Sequence, residues 1–471
     1  AQLIRDRKVS ASEVLETHLH HIAKHNPQLN AIVTSNEEAA RQRAKEADAA
    51  LARGVVWGPL HGVPITIKDV YETEGLRTTC SFEPLAEYIP KKDATGVARL
   101  RAAGAIILGK TNMPMMALDA QSDSPIFGRA NNPWDVTRTP GGSTGGGAAA
   151  VAAGLSSLDI GSDVGGSLRV PAQYCGVYCF KPTEFRVSNA GHIPPLPGAP
   201  HSIRHMSSYG PMARSVADLR LAFEQIAGPD NRDWSVPPVQ IAEVSKRPLH
   251  EYRIAWTKGG FAGMAVSQEI QRALEGVAQT LTDAGCTIKE TDPPDFDFEG
   301  AHHAWGIILG SEMGAGMSAF MRIMMALKFR LMADRSRVKR SLTRGLSVNM
   351  SRYAHALTQR DALITTFEKF LSNWDAWLCP VTSGAAFTHR KMGKPIEIDG
   401  RQEHYHNATI GHTCIFNLTG SPVVVLPIGR TTDDLPIGMQ VVGRRWDDMG
   451  LLATAEALSE VVGTFQRPSG Y

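Results

Sequence analysis

The chain has 471 residues, 43% hydrophobic and 20% charged, an ordinary composition for a soluble globular protein. Lysine and arginine number 49 against 47 acidic residues, so the net charge of +2 demands no anionic partner such as nucleic acid. No run of 18 apolar residues exists, which excludes a predicted transmembrane helix, and six scattered cysteines make no disulfide framework.

Free thiols of this kind fit a reducing cytoplasm, and the opening AQLIRDRK does not read as a signal peptide. Ser10-x-x-Glu13 is a capping box, and Leu15, His18, Leu19 and Ile22 then share one helix face. An Ala-rich helix is predicted at about 37–52. In LHGVPITIKDV, Pro64 opens a strand in which Ile65 and Ile67 alternate with Thr66 and Lys68. Lys68 therefore shares a face with Thr66, near the strand's C-terminal end.

Gly104 to Thr111 matches G-x-x-x-x-G-K-[ST], the phosphate-binding loop. That loop needs its strand before the first glycine. Here the middle residues AIIL are the strand and Pro114 soon follows, so the nucleotide reading fails. Next comes TPGGSTGGGAAAVAAG, where Ser143 satisfies the G-x-S-x-G of a nucleophile elbow. An elbow needs an apolar strand just before it, and Pro133 and Pro140 deny one. In DVGGSLRVP, two glycines precede Ser167 and free the backbone to aim several N–H groups at one point, as an oxyanion hole requires. An ordinary Gly-rich turn fits that spacing equally well.

Farther on, strand 252–256, helix 267–284 and strand 286–290 form a β-α-β unit closed by Gly285. The basic residues from Arg322 to Arg344 alternate with apolar ones and read as a solvated helix face. The Met-rich stretch 313–332 reads as helix packing, with an adaptable wall for apolar substrates as the alternative. His404, His406 and His412 are spaced too irregularly for a metal site and read as a surface loop. AWLCP, PVVVLP and IGMQVVG are strands, and a last helix spans about 447–462. Alternation throughout predicts an α/β fold with helices on a large mixed sheet. Length alone suggests roughly three domains, but without a repeat or linker one domain over 1–471 fits better.

GVPITIKD, NPWDVTRTPGGSTGG and GSDVGGSLRVPAQYCGVYCFKPT, followed in order by GPMARSVADL, FNLTGSPVVVLPIG and LPIGMQVVG, resemble the amidase signature family of Ser–cis-Ser–Lys hydrolases. The resemblance spans nearly the whole chain. It implies an α/β/α sandwich around a large twisted mixed sheet, with a signature core at about 61–183, N-terminal helices at 1–52 and a variable substrate-covering region at about 300–350. It further implies Ser167 as nucleophile, Ser143 as bridging serine after a cis peptide at Gly142, and Lys68 as base. The N–H groups of Val164, Gly165, Gly166 and Ser167 would form the oxyanion hole. Asp163 and Arg169 would brace the loop, and Ala117, Leu118 and Asp119 would lie where relatives line the acyl pocket. Neither metal nor other cofactor is implied. Thr144, Gly147 and Cys179 depart from the usual family pattern without touching the three reactive positions.

A lysine with an ordinary pKa near ~10.4 cannot accept a proton at neutral pH, whereas a buried one can. A neutral Lys68 would take a proton from Ser143, and Ser143 one from Ser167. The expected function is cleavage of C–N amide bonds in bulky or apolar small molecules by a monomer or homodimer. The same machinery serves carbamates, esters and nylon-type oligomers. The glutamine-amidase component of a tRNA-dependent amidotransferase is a further reading. It predicts a YGLVAFASSLDQ-like stretch where this chain has GHIPPLPGAPHSIRHMSSYGP. A non-catalytic binding relative would not need all three reactive residues.

Overall fold

Alternate residues of the same strand enter opposite cores, and this fixes the layering. Val424 and Leu426 pack with Leu274, Leu281, Leu451 and Leu458, whereas Val425 packs with Ala148–Ala153 and Leu168. A strand buried on both faces reads as a continuous apolar run, as VVVL does. The computed structural model describes residues 1–199, 201–332 and 334–471.

Eleven of the described strands form one mixed sheet. In chain order they are β1 (Ile32–Ser35), β2 (Pro64–Lys68), β3 (Ile106–Thr111), β4 (Asp159–Asp163), β5 (Tyr178–Lys181), β6 (Ser208–Ala213), β7 (Arg253–Trp256), β8 (Thr287–Glu290), β9 (Ala376–Pro380), β10 (Val423–Arg430) and β11 (Pro436–Val442). Across the sheet they run β1-β3-β2-β4-β6-β5-β10-β11-β9-β7-β8. β2 is parallel to β3 and β4, and β7 is parallel to β8, while β1 is antiparallel to β3 and β6 is antiparallel to β4. The fold is an α/β/α sandwich.

The helices that matter below are α1 (Ala11–Leu29), α2 (Glu37–Ala52), α3 (Gly145–Ala152), α4 (Arg169–Cys175), α5 (Gln268–Asp283), α6 (Phe298–Ala315), α7 (Ala319–Leu331), α8 (Arg337–Gly345), α9 (Met350–Leu371) and α10 (Asp448–Val462). The Ser10 capping box forms as predicted. Every residue of α3 is buried, because its glycine and alanine side chains let the helix lie directly on the sheet. The predicted β-α-β unit is β7-α5-β8.

One expectation is corrected at α7. Met325, Ala326 and Phe329 pack inward as a helix in a core should. The opposite stripe, Phe320, Ile323, Met324, Leu327 and Leu331, is exposed, so helix packing explains only half of the Met-rich stretch. The histidines are corrected as well. His404 precedes a short helix, Tyr405–Ile410, His406 pairs with buried Asp334, and His412 is wholly buried.

Candidate active site

Register places the lysine. Thr66 of β2 lies opposite Asp159 of β4 and donates its hydroxyl to Asp159 Oδ2 at 2.8 Å. Lys68, two residues on, emerges on the same face. Its Nζ donates to Ser143 Oγ at 2.7 Å and to Ser162 Oγ at 3.3 Å. Lys68 is fully buried, and that burial pulls its pKa down to about 7 against the opposing influence of Cys80, Asp159 and Asp163.

Ser143 belongs to a turn held by its neighbours' backbones. The Gly142–Ser143 peptide is cis. A Cβ on Gly142 would stand 2.6 Å from the Asp119 carbonyl oxygen and 2.7 Å from the Gln121 nitrogen, so segment 119–121 packs directly on this turn. Ser122 Oγ donates to Gly141 O at 2.9 Å and accepts Gly145 N–H at 3.1 Å. Thr144 N–H donates to the Ser167 carbonyl at 3.1 Å, tying the two serine turns together. Among the described residues, no hydrogen bond joins the Ser143 and Ser167 hydroxyls. Ser167 is half-buried, while Ser143 and Lys68 are fully enclosed.

The turn after β4 is organised by Asp163. Its carboxylate accepts N–H groups from Gly166 at 2.7 Å and Leu168 at 3.0 Å. Arg169 grips it from both sides, Nε to Oδ2 at 3.1 Å and Nη2 to Oδ1 at 2.9 Å, and neither side chain is exposed. Burial alone would raise the Asp163 carboxyl, but Arg169 outweighs it and holds the group below the usual carboxylate range. Asp163 and Arg169 thus tie the 163–169 turn together through these bonds. Gly166 is a correction: its N–H, expected to point with its neighbours, is taken by Asp163. The N–H groups of Val164, Gly165 and Ser167 have no such partner among the described residues.

Several supports were not singled out from sequence. Thr413 Oγ1 donates to Gly165 O at 2.5 Å, and Trp305 Nε1 donates to Val164 O at 2.9 Å. Asn417 donates to Asp163 Oδ1 at 2.9 Å, and Gln440 Oε1 accepts from Arg169 Nη1 at 2.9 Å. Asn417 and Gln440 lie within the FNLTG and LPIGMQVVG motifs, which hinted at their presence but not their roles. Thr413 and Trp305 had no signal, because their partners are more than 100 residues away.

Ala117 has a positive φ of 59°, and Leu118 packs at the edge of the core that contains Trp305. Asp119 Oδ1 accepts from the Tyr405 hydroxyl at 2.5 Å and from Ala120 N–H at 2.7 Å, so that oxygen is already engaged. The false phosphate loop is strand β3, and its Lys110 donates to Tyr71 O, Thr73 and Thr78. Among the described residues no cluster of His, Cys, Asp or Glu is placed to hold a metal ion.

The structure thus sets a buried Lys68–Ser143 hydrogen bond beside a Gly-rich turn whose Val164, Gly165 and Ser167 amides lack partners among the described residues. The sequence model of the amidase family matches residues 13–452. The chain belongs to the amidase family. Among curated family members, a glutamyl-tRNA(Gln) amidotransferase subunit from Heliobacterium modesticaldum is 32% identical, with 98% of this chain and 95% of that protein covered. Its counterpart from Symbiobacterium thermophilum is 34% identical, with 96% and 94% covered. A solved structure described as a vestigial protein complex bearing on the origins of an s-triazine catabolic enzyme has a TM-score of 0.82 at 29% identity, covering 99% of this chain and 98% of that one. The substrate complex of 6-aminohexanoate cyclic dimer hydrolase has a TM-score of 0.81 at 26% identity, covering 100% and 97%. As in other amidase-family members, the activity belongs with C–N hydrolysis. No described helix is long and apolar enough to cross a membrane.

Proposed function

We propose that this chain hydrolyses amide bonds of small molecules through an acyl-enzyme on Ser167. The observation that carries the reading is the 2.7 Å contact from a wholly buried Lys68 to Ser143. A neutral Lys68 amine takes the Ser143 proton while Ser143 takes that of Ser167, because a hydroxyl both donates and accepts. Ser167 Oγ bonds to the amide carbon, and the carbonyl oxygen becomes an anion facing the amides of Val164, Gly165 and Ser167. When the tetrahedral adduct collapses, the C–N bond breaks and the relay in reverse protonates the departing nitrogen. Water then releases the acid by the same path. The Ser143–Ser167 link closes when substrate turns the Ser167 hydroxyl inward; such contacts commonly tighten only in the substrate complex.

Trp305 against Gly165, with Leu118 and Val164 at the edge of the same apolar core, supports a bulky or apolar acyl group. Carbamates, esters and nylon-type oligomers satisfy the same geometry. A hydrolysis panel across these leaving groups, with Ser167→Ala as control, tests the reading. Turnover of at least one amide by wild type and none by the variant is expected, and turnover by Ser167→Ala would overturn it.

The curated relatives' name supports a second reading, a glutamine amidase working within a complex. The segment from Gly191 to Pro211, GHIPPLPGAPHSIRHMSSYGP, favours the free-standing enzyme. Ammonia release from glutamine that appears only with a co-purified partner would establish the second reading.

A further inference from the structure

A concavity of about 890 Å³ lies away from the serine turns. Its walls come from α6, α8 and α9 and from the end of α7. From α6 it takes His303 and Ile307. Trp305, which touches the nucleophile turn, is two residues from each, about 200° around the helix. The cavity therefore lies behind α6, on the side facing away from Ser167.

Six cations line it: Arg330, Arg335, Lys339, Arg340, Arg344 and Arg352. Asp334 is the only acidic residue between Met313 and Arg352. It lines the cavity too, but its carboxylate is engaged by Ser336 N–H at 2.6 Å and by His406. Arg337, next to this group but outside the cavity wall, has its own carboxylate in Glu299; none of the six has one among the described residues. Lys339 is only 3% exposed and spends its ammonium on main-chain carbonyls, Asp334 O at 2.7 Å among them. Like charges gathered around a hollow repel one another, and an anion in the hollow relieves that repulsion. Five of the six are arginines, whose planar forks match phosphate oxygens two at a time. The volume falls within the roughly 300–1,000 Å³ of small-molecule pockets.

We propose that this cavity binds a polyanion carrying phosphate groups. The site is separate from the hydrolytic one and does not depend on which substrate that one takes. Two sources supply the same chemistry. One is a free phosphate compound. The other is a lipid headgroup, because neighbouring α7 turns Phe320, Ile323, Met324, Leu327 and Leu331 outward at 48–78% exposure.

Calorimetric titration of the full chain with inorganic pyrophosphate tests the first source. Co-sedimentation with phosphatidylglycerol vesicles, against phosphatidylcholine alone, tests the second. Both use wild type and an Arg340→Glu/Arg344→Glu variant at one fixed ionic strength. Wild type is expected to bind at least one probe, and the variant at least tenfold more weakly, with its amide hydrolysis unchanged and its unfolding midpoint no lower. Arg352→Glu, on a different helix, carries the same test if the double variant unfolds. A wild type that binds neither probe, or variants that bind as well as wild type, would overturn the proposal.

Discussion

A Cβ at Gly147 would stand 2.2 Å from Oδ1 of Asp159, so the first turn of α3 and this buried carboxylate exclude any larger side chain from each other's space. Asp159 Oδ2 is held by the hydroxyls of Thr66 and Thr111, at 2.8 and 3.1 Å, while Oδ1 has no partner among the described residues. Gly147, a departure from the usual family run, is thus matched to a carboxyl beside Lys68. Burial pushes that carboxyl up to about 7, against the hydroxyls and Lys68.

Gly147→Ala is expected to destabilise the protein by about 1–3 kcal/mol through overpacking. In urea unfolding, Gly147→Ala/Asp159→Ala should cost less than the two single changes added together, by more than ~0.5 kcal/mol. Additive costs would show that the two positions do not share this space.

In the proposed relay Lys68 sets the pH dependence. The amine accepts a proton only when neutral, and burial brings its pKa down to about 7. kcat/KM should therefore rise with pH through about 7 and level off above it. Lys68→Arg keeps the charge at every pH and is expected to lose on the order of 10²–10⁴ in kcat/KM. A rate falling through that range as pH rises would assign Lys68 a different task.

The Asp163–Arg169 pair is wholly buried. Arg169→Met leaves a carboxylate enclosed without its cation and should cost about 3–5 kcal/mol in urea unfolding. Arg169→Lys should not restore wild-type stability, because one ammonium cannot replace a fork that also reaches Thr413, Gln440 and Asn417.

Trp305 supports the nucleophile turn through one hydrogen bond and its ring. Trp305→Phe keeps most of the ring and loses the N–H. We expect a stability loss of about 0.5–1.5 kcal/mol, with kcat reduced more than KM is changed. An unchanged kcat would show that this bond, which holds the Val164–Gly165 peptide plane, does not position the Gly165 N–H for the reaction.

Much of this was legible in the sequence for reasons that were local. Period-two alternation put Lys68 beside Thr66, and the capping box at Ser10 marked where α1 begins. Pro133 and Pro140 denied Ser143 its elbow, and AIIL made a strand of the false phosphate loop. Contacts set by chain topology were not legible. Nothing near Asp159 signals that α3 will press on it, and Trp305 reaches Val164 only because the fold lays α6 against that turn. Likewise, Arg330, Arg335, Arg340 and Arg344 are exposed as a solvated face should be, but only the fold brings them to the rim of one hollow.

Ser167, not Ser143, is assigned the acyl group, and everything else in the mechanism depends on that assignment. Intact-mass and peptide mapping after reaction with a fluorophosphonate probes it without needing to know the substrate, using wild type, Ser167→Ala and Ser143→Ala. A single adduct on the Ser167 peptide of wild type is expected, with none on Ser167→Ala and much slower labelling of Ser143→Ala. An adduct on Ser143, or one that survives in Ser167→Ala, would contradict the assignment.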